Sequence, residues 1–427
     1  MRVAVIGAGK MGLPLACQFA HRGAKVTAID ANPIVVAAIR EGRMLFEEPG
    51  VGELLTEACA EGRINATTSV EDGIRGCQAV VVIIPVLLTP DRAADLRTLQ
   101  TVTRQIAAAI EPGMMISYET TLPLGTTRNV LRPLLERDGL RAGEDFDLVF
   151  SPERVKSRLV LEHLTRTPKI VGGVNPRSSA RAESFYSEYL GAPVINVKTL
   201  EAAELAKLAG MVYRDVNIAL ANELAAYAET AGVDFEIVRQ AANTDGEAFL
   251  LSPGIGVGGH CTPVYPYFVL NDARERGVEV ALTAHGRASN DAQAGRHLDR
   301  LARAGFQLRG QKILILGLGF RPQVKEHICS PAFLLKEEAE KRGAQAVLAD
   351  ALYSPEEIRE HGFEPFDMVA AEWPRVVVLN TAHDVYRAPD FTAWRQRGVT
   401  HVLDGRNAWA PDVVRASGLV YLAPGVA

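Results

Sequence analysis

The chain has 427 residues, 48% hydrophobic and 23% charged, the profile of an ordinary globular protein with material for two or three domains. A net charge of −5 argues against nucleic acid as the main partner. The longest apolar run, residues 79–88, is too short to cross a bilayer and contains Pro85, and the N-terminus lacks the layout of a signal peptide, so a cytoplasmic protein with no membrane partner is expected.

In chain order, "RVAVIG" (2–7) is a short β-rich run, "GAGKMG" supplies Gly7, Gly9 and Gly12, and "LPLACQFAHRG" predicts a helix stopped by Gly23. "KVTAID" predicts a second strand ending in Asp30, and further strands are expected at 79–84, 114–118 and 147–150. From residue 199 the texture changes. Alanine, leucine and paired charges with almost no breakers predict one helix of about 30 residues ending at Gly232. Helical sequence follows at about 234–243 and, after a glycine-rich loop holding Cys261, runs to about 304. Strand patterns return with "QKILILGLGF", "AQAVLAD", "RVVVLN" and "HVLDGR". Alternating strands and helices at both ends imply an α/β protein with two Rossmann-like, doubly wound parallel-sheet domains joined by a central all-helical domain. The expected boundaries are 1–198, 199–308 and 309–427.

A glycine turn at a helix start exposes N–H groups to a pyrophosphate, and the helix dipole favours the anion. Gly7 would make the tight turn, Gly9 would let the backbone approach and Gly12 would permit close packing. Asp30, ending the next strand, would accept from ribose hydroxyls and repel a 2′-phosphate, which favours NAD over NADP. Arg40 could soften that preference but reads better as a solvated charge on a helix face. Gly317 and Gly319 lack a third glycine; "GLGFRP" still offers backbone donors and the Arg321 fork to a second phosphate-bearing ligand.

The five cysteines are Cys17, Cys59, Cys77, Cys261 and Cys329, with no CxxC pair, which fits a reducing compartment and gives no metal-ligand pattern. Only Cys261 lies in a glycine-rich loop. The other four fall in helical or apolar contexts, where inert packing is the default.

Several stretches together resemble the nucleotide-sugar 6-dehydrogenase family, which includes UDP-glucose and UDP-N-acetylhexosamine dehydrogenases. They are "GAGKMGLPLA" (7–16), "FEEPGVGELL" (46–55), "ETTLPLGTT" (119–127), "SPERV" (151–155), "PKIVGG" (168–173), "EAAELAKL" (201–208), "NIALANELA" (217–225), "GVGGHCTP" (256–263) and "SPA" (330–332). They occur in the family's order and cover nearly the whole chain; "SPERV" and "GVGGHC" are most similar to the N-acetylhexosamine branch.

The resemblance implies oxidation of the CH2OH of a UDP-linked sugar to a uronic acid with two NAD. An aldehyde cannot give up a second hydride until a nucleophile adds to it. A Cys261 thiolate would add, and a thioester would remain for water to cleave. Lys207 would stabilise the developing alkoxide, Glu153 would serve as base for water and Thr121 would help hold that water. The resemblance also implies cofactor contacts from Lys10, Met11, Pro85 and Thr121, and substrate contacts from Glu153, Arg154, Lys207, Asn217, Gly258 and Arg321. Asn217 and Glu223 would lie near the sugar and the subunit interface of a homodimer formed through the central helix.

The pattern departs from the family at the catalytic centre. The family's aspartate four residues after the cysteine is Tyr265, and its asparagine four residues after the lysine is Met211. Its third-domain lysine is Arg321, its "DxRxSP" arginine is Ile328, and its "VPTP" is "IPVL" (84–87). A phenol, with a pKa of about 10, is a poor neutral-pH base unless a neighbour such as Lys207 lowers it, so Tyr265 is a candidate new proton carrier. Three outcomes stay open: the four-electron oxidation, a redirected two-electron reaction on a nucleotide sugar, or binding without turnover. A β-hydroxyacid dehydrogenase is the rival enzyme class, disfavoured by the third α/β domain and the "GGHC" loop.

Overall fold

A computed structural model describes residues 1–136 and 139–426, and two compact units divide the chain: Met1–Gly210 with Tyr267–Arg276, and Met211–Pro266 with Gly277–Ala427. The first unit is built on eight strands: β1 (Arg2–Ile6), β2 (Lys25–Ile29), β3 (Ile64–Thr67), β4 (Ala79–Val82), β5 (Met115–Tyr118), β6 (Asp147–Phe150), β7 (Lys169–Gly173) and β8 (Val194–Thr199). Their order is β3-β2-β1-β4-β5-β6-β7-β8. β1 to β6 are mutually parallel, but β7 runs antiparallel to β6, with Val149 opposite Gly173 and Phe150 opposite Gly172. Apart from this one junction the sheet is parallel, as the expected Rossmann-like fold requires. The reversal lies in the connection. Glu48 accepts from Arg158 N (2.6 Å) and Val160 N (3.0 Å), which anchors the helix Val160–Arg166 to the segment between the helices Pro33–Arg40 and Val51–Ala60. The next strand starts from the end where β6 stopped.

The second unit carries a wholly parallel sheet of β9 (Lys312–Leu316), β10 (Gln345–Ala349), β11 (Glu364–Pro365), β12 (Val376–Leu379), β13 (His401–Asp404) and β14 (Val420–Leu422). Its order, β11-β10-β9-β12-β13-β14, repeats the first six positions of the other sheet. Parallel strands buried on both faces need apolar residues at every position. β9 and β12 show the consequence. Ile313, Ile315, Val376 and Val378 enter one core, while Leu314, Leu316, Val377 and Leu379 enter the core on the opposite face. Each sheet thus has a switch point, β1/β4 in one and β9/β12 in the other, the usual ligand crevice of such folds.

The long helix Leu200–Thr230 matches the expected length, and Tyr265–Glu275, Ala281–Asp291 and Gln293–Arg303 complete the helical middle of the chain. Among the described residues no helix is long and apolar enough to cross a membrane. In the second unit the long helix is tied down by a buried ion pair. Arg287 donates to Asp215 (2.5 Å) and Asp291 (3.0 Å), and Asn290 Nδ2 donates to Asp215 Oδ1 (2.8 Å). Arg287 and Asp215 are both essentially inaccessible. Arg287→Met should therefore cost about 3–5 kcal/mol by stranding a buried carboxylate, and adding Asp215→Asn should recover part of it. Urea unfolding of the wild type and the two variants measures this; an unaltered midpoint in Arg287→Met would show that the pair does not hold the helix.

Candidate active site

In the first unit the glycine turn follows β1 directly. Gly7 has φ +96, and a Cβ there would sit 2.6 Å from the Ile83 carbonyl oxygen at the end of β4. A Cβ on Gly12 would lie 1.7 Å from the Gly7 carbonyl, so the helix Gly12–His21 begins in direct contact with the turn. Nothing lies within 4 Å of a Cβ built on Gly9, which leaves room for a ligand to approach the backbone. Asp30 Oδ2 accepts from Ala8 N (3.0 Å) and Oδ1 from Asn32 N (2.9 Å), so the acid fixes the turn and keeps lone pairs for ribose hydroxyls. Lys10 is exposed, Met11 half-buried and Pro85 exposed just beyond β4. These features fit a dinucleotide. Arg40 is not merely solvated: its Nε donates to the Ala66 carbonyl (2.8 Å).

A second cluster gathers at the carboxyl ends of β5 and β6. Glu204, on the long helix and fully buried, accepts from Gly125 N (2.5 Å), Thr127 N (2.9 Å) and Thr127 Oγ1 (2.6 Å). Burial raises its carboxyl to about 7 against those donors. Beside it Glu201 pairs with Arg128. These bonds fix the helix against the loop after β5. One turn further on, Lys207 is buried, and its Nζ donates to the Glu153 carbonyl oxygen (2.8 Å). Glu153 Oε1 accepts from Arg154 N (2.6 Å) and Val155 N (3.1 Å), and Oε2 accepts from Lys169 Nζ (3.1 Å). Burial would raise its pKa, but Lys169 and the Arg154 N–H outweigh that and hold it below the ordinary carboxylate range. Lys169 also donates to Glu119 Oε2 (2.6 Å), which accepts from Tyr186 OH at Oε1 (2.7 Å). Thr121 is buried two residues after Glu119. Arg154 turns its guanidinium to the Pro168 carbonyl. Lys169, Glu119 and Tyr186 were not singled out from the sequence. The available signal was a lysine and a glutamate bordering apolar strands, inside the quoted "PKIVGG" and "ETTLPLGTT".

In the second unit the Cys261 loop is held from two sides. From the long helix, Asn222 Oδ1 accepts from Gly254 N (2.9 Å), and Asn217 bonds Phe249 O (2.7 Å) and Leu251 N (2.8 Å). Asn217 therefore uses its amide on loop backbone. On the sheet side Ile255 N donates to Gly405 O (3.1 Å) and Gly259 N to Ile328 O (2.9 Å). A Cβ on Gly258 would come within 2.4 Å of Phe320, so that glycine serves loop packing. Cys261 is a half-buried free thiol whose carbonyl accepts from Tyr265 N (2.9 Å), just ahead of the helix Tyr265–Glu275. Tyr265 and Met211 are half-buried and Glu223 exposed; nothing in the structure explains methionine at 211.

The other cysteines divide. Cys17 is buried, and burial pushes its thiol up to about 12; Cys59 and Cys77 are raised too, each first by burial. Cys329 corrects the expectation of a packed residue: it is exposed, with φ +50, in the turn before the helix Pro331–Lys341. The second glycine turn is built like the first: Asp350 Oδ2 accepts from Leu318 N (2.6 Å), as Asp30 does from Ala8 N, and Gly319 N lies 3.4 Å from it. Asn380 Nδ2 donates to the carbonyls of Gly317 (2.9 Å) and Gly319 (3.0 Å). Arg321 is half-buried in the loop after β9.

Residues 1–190 match the NAD binding domain of the UDP-glucose/GDP-mannose dehydrogenase family, and residues 201–292 match its central domain. The chain belongs to this family. It is an NAD-dependent dehydrogenase of the nucleotide-sugar type. Among its relatives, a UDP-N-acetyl-D-mannosamine dehydrogenase of Pyrococcus horikoshii is 33% identical over 341 residues, 79% of this chain and 80% of that one. An NDP-N-acetyl-D-galactosaminuronic acid dehydrogenase of Ralstonia nicotianae is 30% identical over 97% of both chains. The solved UDP-D-ManNAc dehydrogenase of Pyrococcus horikoshii superposes with a TM-score of 0.90 at 29% identity, covering 100% of this chain and 99% of that one. A UDP-glucose dehydrogenase from Pyrobaculum islandicum gives 0.88 at 25% identity, covering 100% and 98%.

Asp30→Ala should lower kcat/KM for NAD about tenfold or more and raise the relative use of NADP, since it removes both a ribose acceptor and a negative charge. Initial rates with the two cofactors check this; an unaltered NAD-to-NADP ratio would detach Asp30 from cofactor choice.

Proposed function

We propose that this dehydrogenase oxidises the primary alcohol of a UDP-linked N-acetylhexosamine to a uronic acid, and that its chain divides into domains 1–198, 199–308 and 309–427. When bound, NAD supplies the hydride acceptor, used twice per sugar. Lys207 stabilises the developing alkoxide. The Cys261 thiolate adds to the aldehyde carbon, which is held as a thiohemiacetal and, once oxidised, as a thioester. Glu153, helped by Thr121, takes a proton from water; the oxygen bonds to the thioester carbon, the C–S bond breaks and the thiolate returns. Tyr265 carries a proton in place of the family's aspartate, Arg154 and Arg321 contact substrate, Asn217 and Gly258 shape the Cys261 loop through their backbone and Phe320 contacts, and Lys10, Met11 and Pro85 border the cofactor.

What carries this reading is the placement of Lys207 on the Glu153 carbonyl (2.8 Å) beside an ionised Glu153 side chain. The groups for alkoxide stabilisation and for water activation are held together in one buried cluster. The sugars in the relatives' names, UDP-N-acetyl-D-mannosamine and an NDP-N-acetyl-D-galactosaminuronic acid, support an N-acetylated sugar.

The test counts NADH formed per sugar across a panel of UDP-sugars. Two per sugar is expected. One would favour the two-electron reaction that Tyr265 and Met211 leave open, and none, with measurable ligand affinity, would favour binding alone. Cys261→Ser should cut acid formation by about a thousandfold; acid at full rate from that variant would remove the covalent step.

We also propose that a second copy packs on the long helix. Tyr213, Leu220 and Tyr227, seven residues apart, are 56%, 44% and 73% exposed along it. Leu220→Glu should convert a dimer to a monomer in light scattering; a wild type that is already monomeric would refute the interface.

A further inference from the structure

Resting on the hydrolysis reading above, we infer that Lys169 and Glu119 are positioning residues that hold Glu153 ionised for water and take up the proton it receives. The geometry is a bridge. Lys169 heads β7 and donates to Glu119 Oε2 (2.6 Å) on the loop after β5 and to Glu153 Oε2 (3.1 Å) on the loop after β6. The side chains of Lys169, Glu119 and Glu153 are 5%, 0% and 13% exposed. One ammonium thus serves two carboxylates in a nearly dry place, where two full negative charges are costly to maintain.

The neighbours close the set. Tyr186, from the helix Pro176–Tyr189, donates to Glu119 Oε1 (2.7 Å) and meets Ser117 Oγ (2.8 Å). The Lys169 ammonium lies 5.1 Å from the Tyr186 ring centre. Lys207 reaches the backbone carbonyl of Glu153 from the long helix, and Arg154, next in the chain, points to the Pro168 carbonyl. Burial first, and then the Glu153 charge, raise Glu119 to about 7 in spite of Lys169, while Glu153 stays low. The two carboxylates therefore differ in proton affinity in the direction the transfer needs.

The step balances without an outside reactant. Water gives a proton to Glu153 as its oxygen bonds to the thioester carbon. Lys169 passes one proton to ionised Glu119 and regains one from Glu153, remaining an ammonium. Glu153 is ionised again, and Glu119 holds the proton until the product leaves. Nothing else in the cluster performs this role: Tyr186 is raised well above the usual phenol range, first by burial, and stays protonated.

Two measurements on the full chain test this. By infrared titration, the difference between wild type and Glu119→Gln should show a protonated carboxyl band that disappears around pH 7, the Glu204 contribution being common to both. In the pH profile of kcat for acid formation, Lys169→Met should move the acidic limb up by about one pH unit or more, a tenfold loss at a fixed pH on that limb. Glu119→Gln should leave that limb in place, since Glu119 is already protonated there, but lower kcat at and above pH 7, where the wild type has Glu119 ionised to take the proton; Lys169→Arg should restore the wild-type position. A loss equal at every pH, with the limb fixed, would make Lys169 merely structural and overturn the inference. If Lys169→Met does not fold, the Glu119→Gln loss at and above pH 7 and the band still decide. A wild type that forms no acid would overturn the hydrolysis reading and the role built on it; absence of the band would overturn proton sharing even if acid is made.

Discussion

Burying charge is the constraint on which the chemistry of the first unit depends. Lys169, Glu119 and Glu153 are nearly inaccessible, and Lys169 donates to both carboxylates. In a poorly solvated place each ion is stable only through its partners, so the three positions cannot be varied independently. The sheet supplies them from three strand ends: β5 brings Glu119, β6 brings Glu153 and β7 brings Lys169. The antiparallel turn-back of β7 is what puts its first residue beside the last residues of β5 and β6. Topology and electrostatics are here one fact.

The long helix is fixed in both units by side chains bonded to loop backbone. In the first unit buried Glu204 gathers the donors of Gly125 and Thr127, which sets the height at which Lys207 meets Glu153. In the second, Asn217 and Asn222 hold the segment 249–254 that leads into the Cys261 loop. Helix positions one or two turns apart thereby fix loops that are distant in sequence. Such bonds stabilise only modestly one by one, but a buried donor left without its acceptor costs about 1–3 kcal/mol, so the loops have few alternative positions.

Much of this was legible in the chain. The alternation of Ile313, Leu314, Ile315 and Leu316 between opposite cores, the turn from Gly7 to Gly12 and the length of the helix Leu200–Thr230 follow from local rules. Lys207, Glu153 and Cys261 stood out through the resemblance. Their partners did not. A lysine at the start of "KIVGG" reads as a strand-end charge, and Glu119 reads as the residue that ends "MISYE". The exposure of Cys329 and the engagement of Leu318 N and Gly319 N by Asp350 were equally hidden, since both depend on residues far away in the chain.

The sequence by itself determined the two sheets, the helical middle, the dinucleotide turn and the membership that names the chemistry, because side-chain periodicity and glycine geometry act within a few neighbouring residues. Only the tertiary structure decided which carboxylate shares Lys169, which direction β7 runs and what holds the Cys261 loop. Those outcomes depend on burial and on pairing between strand ends, and a charge's stability in the interior is a property of its surroundings rather than of its place in the chain.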